Sequence, residues 1–130
     1  MAETSGKRIL LAEDDRLSRR AVESMLTKRG FAVLLAADGE EAMQKAQQES
    51  PDLILLDVIM PKLLGFDVLV RLKADPATRD IPVVMMSSLG QEADVQEAMA
   101  AGALTYLVKG DVPLDQLATR IMAIFETMSP

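Results

Sequence analysis

The sequence predicts an α/β protein built on a doubly wound parallel sheet of five strands. Short apolar runs alternate with longer segments in which apolar residues recur at helical spacing. The runs are rich in Ile, Val and Leu without polar alternation, as is typical of strands that helices cover on both faces. They lie at residues 7–12, 31–36, 53–57, 81–86 and 104–108. A chain of 130 residues suits one hydrophobic core, so we expect a single domain over residues 1–130 with its core at about 7–128.

The first helix follows the first apolar run. Asp15 can cap its start, and Gly30 is a suitable residue to end it. The spacing of its apolar residues predicts an inward face made of Leu17, Ala21, Val22, Met25 and Leu26.

The second and third helices have clear sequence boundaries. Asp38, with Glu41 three residues later, forms a variant of the capping box, and Ser50-Pro51 ends the second helix. The third helix is predicted over about Gly65 to Ala74, because residues 75–80 have the composition of a loop.

The fourth and fifth helices complete the alternation. The fourth lies between Gly90 and Gly102, and the fifth begins near Pro113, a residue favoured in the first turn. One apolar stripe of the fifth helix is predicted to face the core and consists of Leu114, Leu117, Ile121, Ile124, Phe125 and Met128.

The composition excludes several classes of function. Lys and Arg number 14 against 20 Asp and Glu, a net charge of -6, so we expect no direct nucleic-acid binding. The chain has no Cys and no His, which excludes Ser-His-Asp and Cys-His catalysis and Cys-type zinc sites. No apolar run approaches the roughly 18 residues of a membrane span, and residues 1–4 do not form a leader, so we expect a cytoplasmic protein without membrane contact.

Polar residues follow the ends of four predicted strands. They are Glu13-Asp14-Asp15, Asp57, Ser87 and Lys109. Ligands of open α/β sheets bind outside the carboxyl ends of the strands, so these side chains are expected to converge. Taken singly, each has an ordinary explanation, such as a helix cap for Asp15 or a solvated charge for Lys109. Their joint placement favours a functional site.

The residue types at this edge suit phosphoryl chemistry with Mg²⁺. Clustered carboxylates repel one another unless a cation lies among them, and Mg²⁺ prefers oxygen ligands. Asp57 could attack a phosphorus atom and form an aspartyl phosphate. The Lys109 ammonium would offset charge on the phosphoryl oxygens, and the Ser87 hydroxyl would donate a hydrogen bond to one of them.

The chain resembles the receiver domains of two-component response regulators over essentially its whole length. The acidic pair of that family resembles Glu13-Asp14, and its phospho-acceptor matches Asp57 in the segment LLDVIMP. Its Gly matches Gly65, and its Thr or Ser, switch aromatic and Lys match Ser87, Tyr106 and Lys109. The resemblance implies a flavodoxin-like, CheY-like three-layer sandwich with strand order 2-1-3-4-5.

The resemblance also implies ligands and a mechanism. Mg²⁺ would be bound by Asp14, Asp57 and the main-chain carbonyl of Ile59, with Glu13 acting mainly through water. Asp57 would take a phosphoryl group from a phosphohistidine of a partner histidine kinase or histidine phosphotransfer protein. Ser87 and Tyr106 would then switch the face presented to a downstream effector.

Three features depart from the family pattern. Gly110 stands where the family usually has Pro, which is expected to loosen the turn that presents Lys109. Leu64 replaces an Asp that commonly precedes Gly65. Leu104 and Thr105 stand beside Tyr106 in place of the paired charges of the winged-helix transcriptional branch, so the dimer of that branch is not supported.

Three alternative functions compete with this interpretation. An aspartyl-nucleophile phosphatase needs a general acid two residues after the nucleophile, where this chain has Ile59. A flavodoxin would need hydroxyls and amides where Glu13-Asp14-Asp15 stands. A pseudo-receiver, acting as a constitutive interaction module, would be expected to lack one of the acidic pair, Asp57 or Lys109, and this chain has them all.

The phosphorylated form is predicted to be long-lived. The chain would catalyse only its own phosphorylation and slow dephosphorylation, and would not be an enzyme in the usual sense. Ile59 and Leu89 flank the expected phosphoryl position in the family and offer no hydrogen bond to an attacking water.

Overall fold

In the computed structural model, strands and helices alternate along the whole described chain, which comprises residues 6–58, 60, 64–88 and 91–128, with only the backbone of Met128. The strands are β1 (Arg8–Ala12), β2 (Ala32–Ala36), β3 (Leu53–Asp57), β4 (Val83–Ser87) and β5 (Thr105–Val108). The helices are α1 (Arg16–Lys28), α2 (Gly39–Glu49), α3 (Gly65–Ala74), α4 (Glu92–Ala100) and α5 (Leu114–Met128).

The five strands form one parallel sheet in the order β2-β1-β3-β4-β5. Leu11 of β1 pairs with Leu35 on one side and Leu55 on the other, so β1 lies inside the sheet. The strand order reverses at β1, between β2 and β3. The doubly wound fold and the order implied by the resemblance are confirmed.

The sheet separates two hydrophobic clusters. Successive side chains of a strand point to opposite faces. Thus Ile54 and Leu56 of β3 enter the cluster that includes residues of α2, α3 and α4. Leu53 and Leu55 of the same strand enter the cluster that includes residues of α1 and α5. This is the three-layer arrangement expected of apolar strands with helices on both faces.

The two outer strands are less buried than predicted. In β2, Ala32 is exposed and residues 33–35 are only partly buried, and in β5 only Leu107 is fully buried. Each of these strands has a neighbouring strand on one side only, so the helical layers end near it. The prediction of burial on both faces is therefore wrong for β2 and β5 and confirmed for the interior strands β3 and β4.

The predicted caps are present. The Asp15 carboxylate accepts a hydrogen bond from the Ser18 N–H at 3.0 Å, and the Asp38 carboxylate accepts one from the Glu41 N–H at 2.8 Å. The Glu41 carboxylate reaches back to the Ala37 N–H at 2.7 Å, one residue before the usual capping-box position. The second helix ends at Ser50 in a left-handed conformation, with φ 47°.

Three residues predicted to face inward are exposed. Leu17 is 79% exposed, Ala21 is also exposed, and only Val22 and Leu26 of α1 are fully buried. Each residue turns an α-helix by about 100°, so Leu17 lies about 140° from Val22 and on the far side of α1. Leu114 is 43% exposed because it begins α5, where a side chain directed toward the N-terminus has no preceding turn to cover. The side chain of Met128 lies outside the description.

The helices are short. The longest, α5, has 15 residues, whereas a membrane-spanning helix needs about 20. Within the described ranges, we find no helix with both the length and the apolar character to span a membrane.

Candidate functional site

Four of the five strands bring a polar residue to the same edge of the sheet. Glu13 and Asp14 directly follow β1, Asp57 is the last residue of β3, and Ser87 is the last residue of β4. Lys109 directly follows β5, and its N–H donates to the Ser87 carbonyl at 2.7 Å. Since neighbouring parallel strands end at the same edge, this order places the acidic loop, Asp57 and Lys109 together.

Three carboxylates form the centre of the site. Oxygens of Glu13, Asp14 and Asp57 lie within 4.8 Å of one another. Glu13 is fully buried and Asp57 is 6% exposed, whereas Asp14 is open to solvent. All three side chains offer oxygen ligands, and the cluster is open to solvent at Asp14, which suits a hard cation such as Mg²⁺.

Lys109 bridges two of these carboxylates. Its ammonium donates to Oε1 of Glu13 in a short hydrogen bond and to Oδ2 of Asp57 at 3.1 Å. Burial opposes the charged form of Lys109, but its contacts with Glu13 and Asp57 outweigh burial and raise its pKa. Lys109 therefore stays positively charged and offsets part of the negative charge.

The two buried carboxylates differ in acidity. Burial raises the pKa of Asp57 to about 6, and the hydrogen bond and charge repulsion from Glu13 add to that shift, while Lys109 opposes it. Burial acts in the same direction on Glu13, but hydrogen bonds with Asp57 and Lys109 outweigh it and lower the pKa of Glu13. Without a cation, Asp57 is therefore the carboxyl that holds a proton in mildly acidic solution.

The first turn of α1 holds the acidic loop in place. The Ser18 hydroxyl donates to Oε1 of Glu13 at 2.9 Å, and the Asp15 N–H donates to Oε2 at 3.1 Å. The guanidinium of Arg19 donates to the carbonyls of Glu13 at 2.9 Å and Asp14 at 3.3 Å. Ser18 and Arg19 were not predicted to be part of the site. The signal available was their place three and four residues after the cap Asp15, where side chains of the first turn face back toward the loop.

A close backbone approach explains Gly65. A Cβ atom at this position would lie 2.1 Å from the carbonyl oxygen of Asp57, far inside contact distance. The Gly65 N–H donates to the Val58 carbonyl at 2.7 Å, which ties the start of α3 to the end of β3. Leu64, which takes the helix-capping position, supplies no side-chain hydrogen bond there.

The two residues predicted to act as a switch contact each other. Ser87 is buried, and Tyr106 is half-buried in the neighbouring strand β5. Burial raises the pKa of Tyr106, and a hydrogen bond between its hydroxyl and Ser87 partly offsets that shift. Tyr106 also packs against the cluster that contains residues of α4. It therefore links Ser87 to one helical layer.

The turn after Lys109 requires glycine. Gly110 has φ +92°, a conformation that proline, with φ fixed near −65°, cannot adopt. The turn closes with a hydrogen bond from the Asp111 N–H to the Val108 carbonyl at 3.1 Å. Lys109 nevertheless reaches both Glu13 and Asp57, so the expected loosening of this turn does not displace its ammonium.

Two residues named in the sequence analysis, Ile59 and Leu89, lie outside the described residues. The assignment of the Ile59 carbonyl as a cation ligand and the effect of both side chains on water access remain predictions.

Comparison with known families and sequences gives a consistent result. The family model for the response regulator receiver domain matches residues 9–122. A gliding motility regulatory protein of Myxococcus xanthus is 44% identical over 88% of this chain, and the response regulator PleD of Caulobacter vibrioides is 40% identical over 85%. The phosphate regulon regulatory protein PhoB of Escherichia coli is 37% identical over 95%. The matches span only 15%, 24% and 54% of the lengths of these relatives.

Solved structures with the same fold include two metal-bound relatives. One is CheY in a CheX–CheY–BeF₃–Mg²⁺ complex from Borrelia burgdorferi, with TM-score 0.86 and 29% identity over 93% of this chain and 90% of that one. The other is the Mn²⁺-bound response regulator Rcp1, with TM-score 0.82 and 30% identity over 95% of this chain and 97% of that one.

Proposed function

This chain belongs to the response regulator receiver domain family, and we propose that it is a signalling switch whose Asp57 accepts a phosphoryl group. The observation that carries the proposal is the contact of Asp57 with Lys109, beside two further carboxylates at the carboxyl edge of the sheet. The receiver unit would comprise the core of the chain, about residues 7–128.

Asp57 would act as the nucleophile. An oxygen of its carboxylate forms a bond to phosphorus as the bond from phosphorus to the imidazole nitrogen of a phosphohistidine breaks, and the imidazole keeps the electron pair. Lys109 then neutralises charge on the phosphoryl oxygens, and Ser87 donates a hydrogen bond to one of them. These 130 residues include no His, so the phosphohistidine would lie outside them, on a histidine kinase or histidine phosphotransfer protein.

The acidic cluster would hold Mg²⁺. The solvent-facing Asp14 and the Asp57 carboxylate would bind it, with the Ile59 carbonyl as a further ligand. The oxygens of Glu13 already accept hydrogen bonds from Ser18, Asp15 and Lys109, which supports an indirect role for Glu13 through water. When bound, the cation offsets the repulsion between the carboxylates and an incoming phosphoryl anion.

Phosphorylation would change the surroundings of Tyr106. If the Ser87 hydroxyl turns toward a phosphoryl oxygen, it leaves the Tyr106 hydroxyl, and the half-buried ring is free to repack. The face built by α4, β5 and α5 would then differ between the two states and select a downstream effector.

Intact-protein mass spectrometry tests the proposal. We expect a phosphoryl adduct when the chain is incubated with acetyl phosphate and Mg²⁺, because the cation offsets the repulsion between two anions. Asp57→Asn and chelator should each abolish the adduct. The matched control is Asp67→Asn, an exposed carboxylate on α3 that should leave the adduct unchanged. An adduct that survives in Asp57→Asn would contradict the assignment.

The same experiment distinguishes the phosphorylated switch from a pseudo-receiver. A constitutive interaction module would give no adduct with acetyl phosphate and Mg²⁺, and no change on adding beryllofluoride. The contact between Lys109 and Asp57 favours the phosphorylated switch, because it places an ammonium where a phosphoryl group would need it.

A further inference from the structure

The Lys109 ammonium is shared between two carboxylates before any phosphoryl group arrives. It donates to Oε1 of Glu13 and to Oδ2 of Asp57. A phosphoryl group on Asp57 would compete with Glu13 for the Lys109 ammonium, and a move of Lys109 toward it would weaken the hydrogen bond to Glu13. Glu13 is fully buried, so a carboxylate that lost its donors there would lack water to replace them.

We propose that Ser18 is a positioning residue that makes this release of Lys109 possible, an inference that rests on the proposed function of Asp57. The Ser18 hydroxyl donates to Oε1 of Glu13, the same oxygen that accepts from Lys109. Oε2 accepts from the Asp15 N–H. When Lys109 moves toward Asp57, each oxygen of Glu13 therefore keeps one donor.

The position of the Ser18 hydroxyl is fixed by the helix rather than by Lys109. The Ser18 N–H donates to the capping carboxylate of Asp15 at 3.0 Å, which sets the first turn of α1. Arg19, the next residue, holds the carbonyl of Glu13 at 2.9 Å. The acidic loop and the first turn of α1 thus form one hydrogen-bonded unit, which Lys109 joins from a separate part of the fold, directly after β5.

Removing the Ser18 hydroxyl should make the hydrogen bond between Lys109 and Glu13 harder to break. When Asp57 is ionised, as a nucleophile must be, it donates no hydrogen bond to Glu13. In Ser18→Ala, Lys109 would then be the donor left to Oε1 in the network described above, and its departure would leave this buried oxygen without that donor. Because leaving a buried acceptor unpaired is costly, we expect the release of Lys109 to become about five- to tenfold less favourable.

The exchange of the Lys109 ammonium protons with water measures this release directly. The experiment uses ¹⁵N-lysine NMR at one fixed pH on the full chain in chelator, with exposed Lys28 as internal reference. We expect exchange about five- to tenfold slower in Ser18→Ala than in wild type. Ser18→Thr, which keeps a hydroxyl, should restore the wild-type rate. Ser24→Ala makes the same change at an exposed position of α1 and should have no effect.

The outcomes separate this inference from the proposed function. Three results would each overturn the inference: unchanged or faster exchange in Ser18→Ala, equal slowing in Ser24→Ala, or failure of Ser18→Thr to restore the rate. A purely structural role for Ser18 would speed the exchange, because its loss would loosen the site. Phosphorylation by acetyl phosphate at saturating Mg²⁺ should also be about fivefold slower in Ser18→Ala. If wild type forms no adduct, the proposed function fails, while the exchange rates still decide whether Ser18 controls Lys109.

Discussion

Of the two buried carboxyls at the site, Asp57 is the one whose pKa is raised. Burial, together with Glu13, raises its pKa from 3.8 to about 6. A carboxyl that binds its proton more tightly in the folded state favours folding at low pH. That contribution is present in full below about pH 3.8 and is lost as the pH rises through about 6.

Asp57→Asn should therefore stabilise the cation-free protein at neutral pH. The amide resembles a protonated carboxyl, so the variant keeps at pH 7 the stability that wild type has only in acid. We expect a free energy of unfolding up to about 3 kcal/mol higher than wild type at pH 7 in chelator, with the difference vanishing near pH 4. Urea unfolding across this range measures it.

Asp67→Asn serves as the control for replacing a carboxylate by an amide, because Asp67 is exposed on α3. At pH 7 in chelator it should change the free energy of unfolding by about 1 kcal/mol or less. A difference between Asp57→Asn and wild type that is the same at pH 4 and pH 7 would contradict the raised pKa of Asp57.

Two glycines near Asp57 and Lys109 are required for different reasons, and alanine should distinguish them. At Gly65 a Cβ would meet the Asp57 carbonyl at 2.1 Å, so Gly65→Ala must displace the backbone and should lower the free energy of unfolding by about 3 kcal/mol or more. At Gly110 the space is open but φ is +92°, so Gly110→Ala should cost only about 1 to 2 kcal/mol.

Gly110→Pro extends this comparison to the residue that is usual in the family. Proline cannot reach φ +92°, so we expect a loss of about 3 kcal/mol or a rearranged turn that moves Lys109. Urea unfolding of Gly65→Ala, Gly110→Ala and Gly110→Pro measures the three losses of unfolding free energy and ranks them. Equal losses in Gly65→Ala and Gly110→Ala would show that close approach to Asp57 is not what Gly65 provides.

At the scale of elements, sequence signals located most helix ends because the capping chemistry is local. Asp15, Asp38 and Ser50 define helix ends as predicted, since each acts on backbone within four residues of itself. The orientation of Leu17 was not predictable in the same way. Leu17 is spaced four residues from Ala21, as on one side of a helix. Both residues prove to be exposed, and the sequence does not specify which side of α1 packs against the sheet.

The capping of α2 supplies a test at this scale. Asp38 accepts from the Glu41 N–H, so Asp38→Ala leaves a donor of the first turn without that partner and should cost about 1 kcal/mol of unfolding free energy. Glu40→Ala, in the same first turn and exposed, is the matched control and should change stability much less. A loss of similar size in both variants would mean that first-turn charge, rather than the cap, stabilises α2. Urea unfolding monitored by circular dichroism measures both.

At the scale of the whole molecule, the sequence predicted which residues would meet at the site but not how they would be supported. Glu13, Asp57 and Lys109 could be placed together because parallel strands end at one edge. The hydrogen bond from Ser18 to Glu13 and the approach of Gly65 to Asp57 depend on distances of 2.9 and 2.1 Å between elements, which no local pattern specifies. The exposure of the edge strands likewise depends on the strand order.

Mg²⁺ should stabilise the folded protein as a whole. Folding brings three carboxylates within 4.8 Å of one another, and a cation that binds only this state shifts the equilibrium toward it. We expect a gain of about 1 to 3 kcal/mol at tens to a hundred times the dissociation constant, observed as a rise in the melting temperature. Asp14→Ala should lose most of this gain, whereas Asp67→Asn should keep it. The same rise in Asp14→Ala as in wild type would place the cation elsewhere.

Because the sheet divides the core into two clusters, residues on its two sides can change independently during evolution. Tyr106 packs in the cluster on the α4 side, whereas Val22 and Leu26, on the helix that carries Ser18, pack in the cluster on the other side. Substitutions in separate clusters that share no partners combine almost additively. Substitutions around Tyr106 could therefore adapt the protein to a new downstream effector. The first turn of α1, with the proposed contact network of Ser18, Glu13 and Lys109, would stay unchanged. Duplicated copies could specialise one side at a time without passing through an inactive intermediate.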